Sequence, residues 1–182
     1  ALMGLVYGSV ADDIDQMLVD NPELTDYLAQ VSGATLAESY LSTALRIIAL
    51  AIAGFSISSA LRARAEEASG HAEPVLATPV SRWRWAGAHL AVTLVATLLL
   101  TLLSGFSVGV GYALSVDDWS EVLPLTVAAL ATLPSILVLA GITFALFGWL
   151  PRAALAAWVG LAVAAIVTLF GTVLRLPRWL ID

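Results

Sequence analysis

The chain has 182 residues, of which 60% are hydrophobic and 12% charged, and its mean hydropathy is +0.93. A globular domain is about 45–50% apolar and about 25% charged, and so short a chain cannot fold that much apolar surface away from water; a water-soluble fold is excluded and lipid is the expected solvent. The net charge of −6 argues against a nucleic-acid partner, and the absence of cysteine removes disulfides, thiolate metal sites and cysteine nucleophiles.

Residues 1–8 open on Ala1-Leu2-Met3-Gly4-Leu5-Val6-Tyr7, apolar and without the basic start of a leader peptide. They read as the end of a transmembrane helix whose beginning lies outside the chain, so a longer parent protein is expected. Residues 9–41 form an acidic loop bearing Asp12, Asp13, Asp15, Asp20, Glu23, Asp26 and Glu38 with no basic residue. Asn21-Pro22-Glu23 reads as a helix start within it, so one or two short amphipathic helices outside the membrane are expected.

Apolar stretches then cover residues 42–61, 88–114, 123–150 and 153–174. Each is long enough to cross a hydrocarbon core of about 30 Å, which takes roughly 20 helical residues. The stretch Leu90 to Leu100 is apolar all round, with Thr93 and Thr97 its only polar side chains, and both can bond back to their own helix. The connections alternate in charge. Residues 62–87 carry Arg62, Arg64, Arg82 and Arg84, residues 115–122 carry Asp117, Asp118 and Glu121, and the turn before Ala153 carries Arg152. Arginine excess in short loops marks the cytoplasmic side, which places 62–87 inside the cell and the acidic loops outside. Arg175 and Arg178 in the outer tail, 175–182, run against this rule, as does Arg46, which can snorkel to the interface. Tyr40, Tyr112, Trp119 and Trp179 fall at proposed outer borders, and Trp83, Trp85 and Trp149 at inner ones, where amphipathic rings prefer to sit.

The 62–87 segment is the most informative. Arg62 and Glu66 stand at i, i+4, and Glu66 and Glu73 at i, i+7, so one helical face carries the charges. Gly70 and Pro74 interrupt that face, and Thr78-Pro79-Val80-Ser81-Arg82 breaks the helix before the next crossing. The expected product is a short helix along the membrane surface, separated from both neighbours; an ordinary solvated loop is the bland alternative.

Glu66-Glu67, Gly70, Glu73, Leu76 and Thr78-Pro79-Val80-Ser81-Arg82 resemble the signature that follows the second transmembrane helix in type-2 ABC exporter permeases. The likeness is nearest to the actinobacterial branch of polyketide-antibiotic and multidrug exporters. Leu133-Pro134, Phe147-Gly148-Trp149-Leu150-Pro151-Arg152-Ala153 and Ala157-Trp158 carry it over nearly the whole chain. The resemblance implies that Glu66, Glu67, Gly70, Glu73, Leu76, Thr78, Pro79 and Arg82 form a coupling helix docking on a separate nucleotide-binding ATPase. It also implies that the first stub and four crossings are five helices of a six-helix unit, working against a second transmembrane unit that is either a second copy or another half of one chain. ATP belongs to the partner subunit, with no cofactor in this chain. The arginine-only, alanine-rich composition fits a GC-rich bacterial source, and the expected location is the bacterial plasma membrane, crossed several times. Pro74 departs from the broader class, which has a more continuous helix there.

Gly105 and Gly109 make a small-xxx-small face for close helix packing, either within one subunit or between two. They do not make a phosphate loop, since no Gly-Lys-Ser/Thr follows. Pro134 removes a backbone donor inside the third crossing and is a candidate kink. His71 and His89 lack metal-ligand spacing and read as interfacial and structural. The sequence thus predicts an all-α, polytopic transmembrane bundle forming one domain, with a short extracytoplasmic helical loop and a cytoplasmic coupling helix. The expected role is a transport subunit without its own ATPase site that exports a hydrophobic compound; the competing reading is a membrane scaffold or binding protein with no transport.

Overall fold

The computed structural model describes residues 1–19, 36–69 and 81–170. In chain order these form α1 (Leu2–Val19), α2 (Leu36–Ala68), α3 (Arg82–Val116), a 3-10 turn (Trp119–Glu121), α4 (Val122–Ala131), α5 (Leu133–Trp149), a second 3-10 turn (Pro151–Ala156) and α6 (Ala157–Phe170). The architecture is all-α, with no strand among the described residues. Helical stretches long and apolar enough to cross a membrane run over Glu38–Arg62, Arg84–Val116, Trp119–Trp149 and Ala153–Phe170.

Helix ends and membrane borders do not coincide. Helix α1 continues beyond residue 8 to Val19, and α2 begins at Leu36, inside the segment expected as acidic loop. Hydropathy marks where a helix leaves lipid, whereas its backbone ladder continues through any residues that tolerate helix geometry. The same physics acts where the expected surface helix begins. Residues 62–68 are not a separate element but the last turns of α2, because Arg-Ala-Arg-Ala-Glu-Glu-Ala contains only strong helix formers and nothing to break the ladder. Of the presumed interruption, residues 70–80 lie outside the described residues, as does the predicted helix start at Asn21-Pro22-Glu23.

The third crossing is divided. Helix α4 ends at Thr132, whose amide bonds the Ala129 carbonyl at 3.1 Å and whose hydroxyl bonds the same oxygen at 2.7 Å. Helix α5 then starts at Leu133 with Pro134 in its first turn, where a missing backbone donor goes unneeded.

Contacts group the chain into two compact units, Ala1–Ala49 with Leu99–Thr132, and Leu50–Leu98 with Leu133–Asp182. In the first, α2 buries Leu41, Ala44, Leu45 and Ile48, a helical i, i+3, i+4, i+7 set. Helix α1 meets α3 through glycines: a methyl on Gly8 would collide with the Val108 carbonyl and lie 2.6 Å from the Tyr112 nitrogen, and one on Gly111 would lie 2.5 Å from the Leu5 carbonyl. Tyr7 and Tyr40 stack at a tilt, centroids 6.1 Å apart. The turn from α3 to α4 puts Asp117 in the left-handed region, φ 57°, which aspartate tolerates better than most residues. The Asp118 carboxylate accepts the Ser120 amide at 2.9 Å, and hydrogen bonding from Ser120 lowers its pKa below the usual carboxylate value.

In the second unit α2 buries Ile52, Ala53, Ser56, Ile57 and Ala60, while α5 buries Ile136, Ala140 and Thr143. Gly54 lies against Leu161 and Trp158 of α6, where an added Cβ would be 3.4 Å and 3.8 Å from side-chain carbons. Trp158 borders Gly54 with one edge of its ring and is otherwise 42% exposed.

Helix α3 reverses the polarity of a soluble helix. Thr93, Thr97, Thr101, Ser104 and Ser107 are buried, whereas Val95, Leu99, Leu103 and Phe106 are exposed. In water this arrangement would expose a long apolar patch while hiding hydroxyls. In lipid it is the stable one, since tails cover the leucines and small hydroxylated side chains let backbones approach.

Candidate functional site

The sequence points to the two helix ends flanking residues 70–80, and both ends are described. At the C-terminus of α2 the Ser69 amide bonds the Ala65 carbonyl at 3.0 Å, and its hydroxyl bonds the carbonyls of Ala65 at 2.8 Å and Glu66 at 3.2 Å. These bonds satisfy carbonyls that a helix end otherwise leaves open. At the other side Ser81 caps α3: its side chain accepts the Arg84 amide at 3.2 Å, and its carbonyl accepts Arg84 and Trp85 amides at 3.0 Å and 3.1 Å. Serine is thus the punctuation on both sides.

Behind the ends, α2 and α3 are joined by paired hydroxyls. Ser59 Oγ lies 2.9 Å from Thr93 Oγ1, and Ser56 Oγ lies 2.7 Å from Thr97 Oγ1. Thr93 donates to the His89 carbonyl on its own helix, which leaves Ser59 to donate to Thr93; Ser56 and Thr97 also lie within bonding distance of the Ile52 and Thr93 carbonyls, and since each hydroxyl has one proton, whichever of the two donates across the pair releases its own carbonyl. Interhelical bonds of this kind contribute about 0.6 kcal/mol on average in membrane proteins. A double-mutant cycle with Ser56→Ala and Thr97→Val should therefore give a coupling energy of about that size in thermal unfolding. Additive effects would mean that the hydroxyls do not hold the helices together.

One turn nearer the connector, His89 Nε2 lies 3.2 Å from Glu66 Oε2. The Trp85 ring meets His89 edge-on, centroids 4.8 Å apart. Ser59, Arg62, Glu66, Ala88, His89 and Val92 line an open recess of about 280 Å³. Of the predicted docking residues, Glu66 is therefore placed against the neighbouring helix. Glu67 is in the last turns of α2 and Arg82 opens α3. Gly70, Glu73, Leu76, Thr78 and Pro79 lie outside the described residues, as does His71.

Gly105 and Gly109 pack within the subunit. An added Cβ would lie 2.6 Å from Ala129 Cβ at Gly105 and 2.8 Å from Val122 Cα at Gly109, so both belong to the contact between α3 and α4. Pro134 is exposed in the first turn of α5.

Two features escaped the sequence reading. Gly4 and Gly8, themselves a small-xxx-small pair, are the α1 side of the contact with α3, and their spacing carried that signal. The Glu66–His89 pair joins residues separated by the whole connector, and nothing local in the sequence announces it.

Residues 1–182 match the family model described as "Multidrug efflux system permease Rv1217c, C-terminal domain". The chain belongs to this family. It is also 35% identical over 183 residues to the "Multidrug efflux system permease protein Rv1217c" of Mycobacterium tuberculosis (strain ATCC 25618 / H37Rv), with all of the chain aligned. The chain spans about a third of that relative's length, 33%. Family membership and the four apolar helical stretches together identify a multi-pass bacterial membrane protein.

Proposed function

We propose that the chain is part of the membrane-spanning permease of an ATP-binding-cassette exporter, which couples ATP hydrolysis on a separate subunit to efflux of a hydrophobic compound such as a drug or antibiotic. The observation that carries this reading is family membership over the full 182 residues, with a relative named as a multidrug efflux permease. The chain has no lysine, hence no phosphate-loop Gly-Lys-Ser/Thr of its own, which supports placing ATP hydrolysis outside these 182 residues. The charge pattern supports a cytoplasmic position for the connector between α2 and α3, where an ATPase would meet it.

In this mechanism the ATPase subunits close on ATP and push the segment from Glu66 to Arg82. Glu67 and Glu73 supply polar contacts, Gly70 and Pro79 set the path of the chain, and Leu76 and Thr78 complete the docking face. The push reaches α2 and α3 directly, because both ends of the connector are capped into those helices. Two packings of the helices, inward-open and outward-open, exchange as ATP binds and is hydrolysed. A second transmembrane unit completes the pathway, and apolar helix faces suit an apolar cargo.

Charge reversal tests the docking role. Glu67→Lys with Glu73→Lys should lower co-purification of the ATPase by about tenfold or more, since like charges meeting across an interface cost several kcal/mol, and efflux should fall with it. Glu66 is left intact because it engages His89. Unchanged association and efflux would remove the docking role; no ATPase partner and no nucleotide-dependent export from vesicles would favour a non-transporting scaffold.

A further inference from the structure

The connector hangs between two long helices, and a push on it is transmitted faithfully only if the spacing of its two ends is fixed. The hydroxyl pairs at Ser59–Thr93 and Ser56–Thr97 fix that spacing deeper in the helix pair. Nearer the connector Glu66 of α2 meets His89 of α3, at 3.2 Å. It joins residues on either side of the connector and so closes the base of the loop. The side chains are 47% and 23% exposed respectively, and Glu66 lies beyond the end of the apolar stretch Glu38–Arg62.

We propose that Glu66 and His89 form a protonation-dependent clasp that sets the separation of the α2 and α3 ends, making His89 a positioning residue for coupling. This deepens the exporter reading and rests on it for its functional consequence. Two states follow from the charged groups around the imidazole. On α2 these are Glu66, 3.2 Å from the ring nitrogen, and Arg62, which lines the same recess. On α3, Arg84 lies five residues before His89, and Trp85 braces the ring from one side. With the imidazole protonated, the pair is ionic and closed. With it neutral, only a hydrogen bond remains, and Arg62, one turn from Glu66 on its own helix, competes for the carboxylate. Trp85 holds the ring edge-on in either state, so the imidazole is positioned without the carboxylate and the clasp reforms on protonation.

The sign follows directly. The closed fraction is larger at pH 6 than at pH 8. Partly exposed ion pairs differ from neutral ones modestly, so the closed-to-open ratio should change by about two- to fivefold across that interval.

The test uses the full-length permease in lipid nanodiscs, with spin labels introduced by Ala65→Cys and Gly87→Cys. Both positions are exposed, and a side chain at Gly87 meets nothing within 4 Å. The inter-label distance distribution should shift toward the shorter population at pH 6, lose its pH response in His89→Gln, and regain it in the exchanged variant Glu66→His with His89→Glu. Recovery on exchange separates a clasp from a residue that merely packs. A distribution independent of pH, or a response that persists in His89→Gln, would overturn the proposal. In vesicles with the ATPase, His89→Ala should also lower export per ATP hydrolysed by severalfold, and an unchanged ratio would remove the coupling role. Failure of the ATPase to associate would instead count against the exporter reading, and the distance measurement would still decide the clasp.

Discussion

Alanine in place of Gly8 should lower the thermal stability of the solubilised protein by about 1–3 kcal/mol, the usual range for overpacking a tight contact. The new methyl would meet the Val108 carbonyl, the Tyr112 nitrogen at 2.6 Å and the Gly111 carbonyl carbon at 2.8 Å. All three are backbone atoms of α3, so no side-chain rotation can relieve the contact, and α1 must move away as a body. That movement would loosen the neighbouring contact of Gly111 with Leu5 as well. The control is Gly141→Ala on α5, where nothing lies within 4 Å of the added carbon. There the methyl should be neutral or stabilising, because alanine is the better helix former by about 1 kcal/mol. Thermal unfolding of both variants in the same detergent gives the comparison, and equal melting temperatures would show that α1 does not pack on α3 as described.

Arginine in place of Val163 should impair membrane insertion of α6. Val163 is 55% exposed and lies well inside the apolar stretch that includes Ala153–Phe170. A charge at the centre of a crossing costs about 2.5–3.5 kcal/mol, which would reduce the ratio of inserted to non-inserted helix by about 70- to 400-fold. Leu114→Arg supplies the contrast. Leu114 is 66% exposed, but it lies at the end of the crossing at Arg84–Val116, where a long side chain snorkels to the headgroups. Glycosylation mapping of engineered sites on either side of each helix reads the outcome. Equal insertion of both variants would mean that the exposed face of α6 is not covered by lipid.

The four crossings were legible because lipid imposes one rule on every residue it touches. From Ser42 to Leu61 and from Ala88 to Leu114, length and apolarity alone give helices that the structure places within α2 and α3. Helix ends were less legible, since the signal fades where the helix leaves lipid while the backbone ladder continues, as it does from Arg62 to Ala68. Packing partners were half legible. Gly105 and Gly109 advertise a close contact by their spacing, but that the contact is to Ala129 and Val122 in the same subunit depends on how the chain turns at Asp117 and Asp118. His89 shows the limit. A single imidazole at the edge of an apolar run looks structural, and its carboxylate partner stands on another helix beyond the connector.

Helix α2 has 33 residues, no proline and a single glycine, Gly54, that packs without strain. At 1.5 Å per residue it is about 50 Å long, against about 30 Å of hydrocarbon. Past Arg62, where the apolar stretch ends, the helix runs on for six more residues, about 9 Å, so the backbone ladder that crosses the lipid also carries Glu66 clear of it into water.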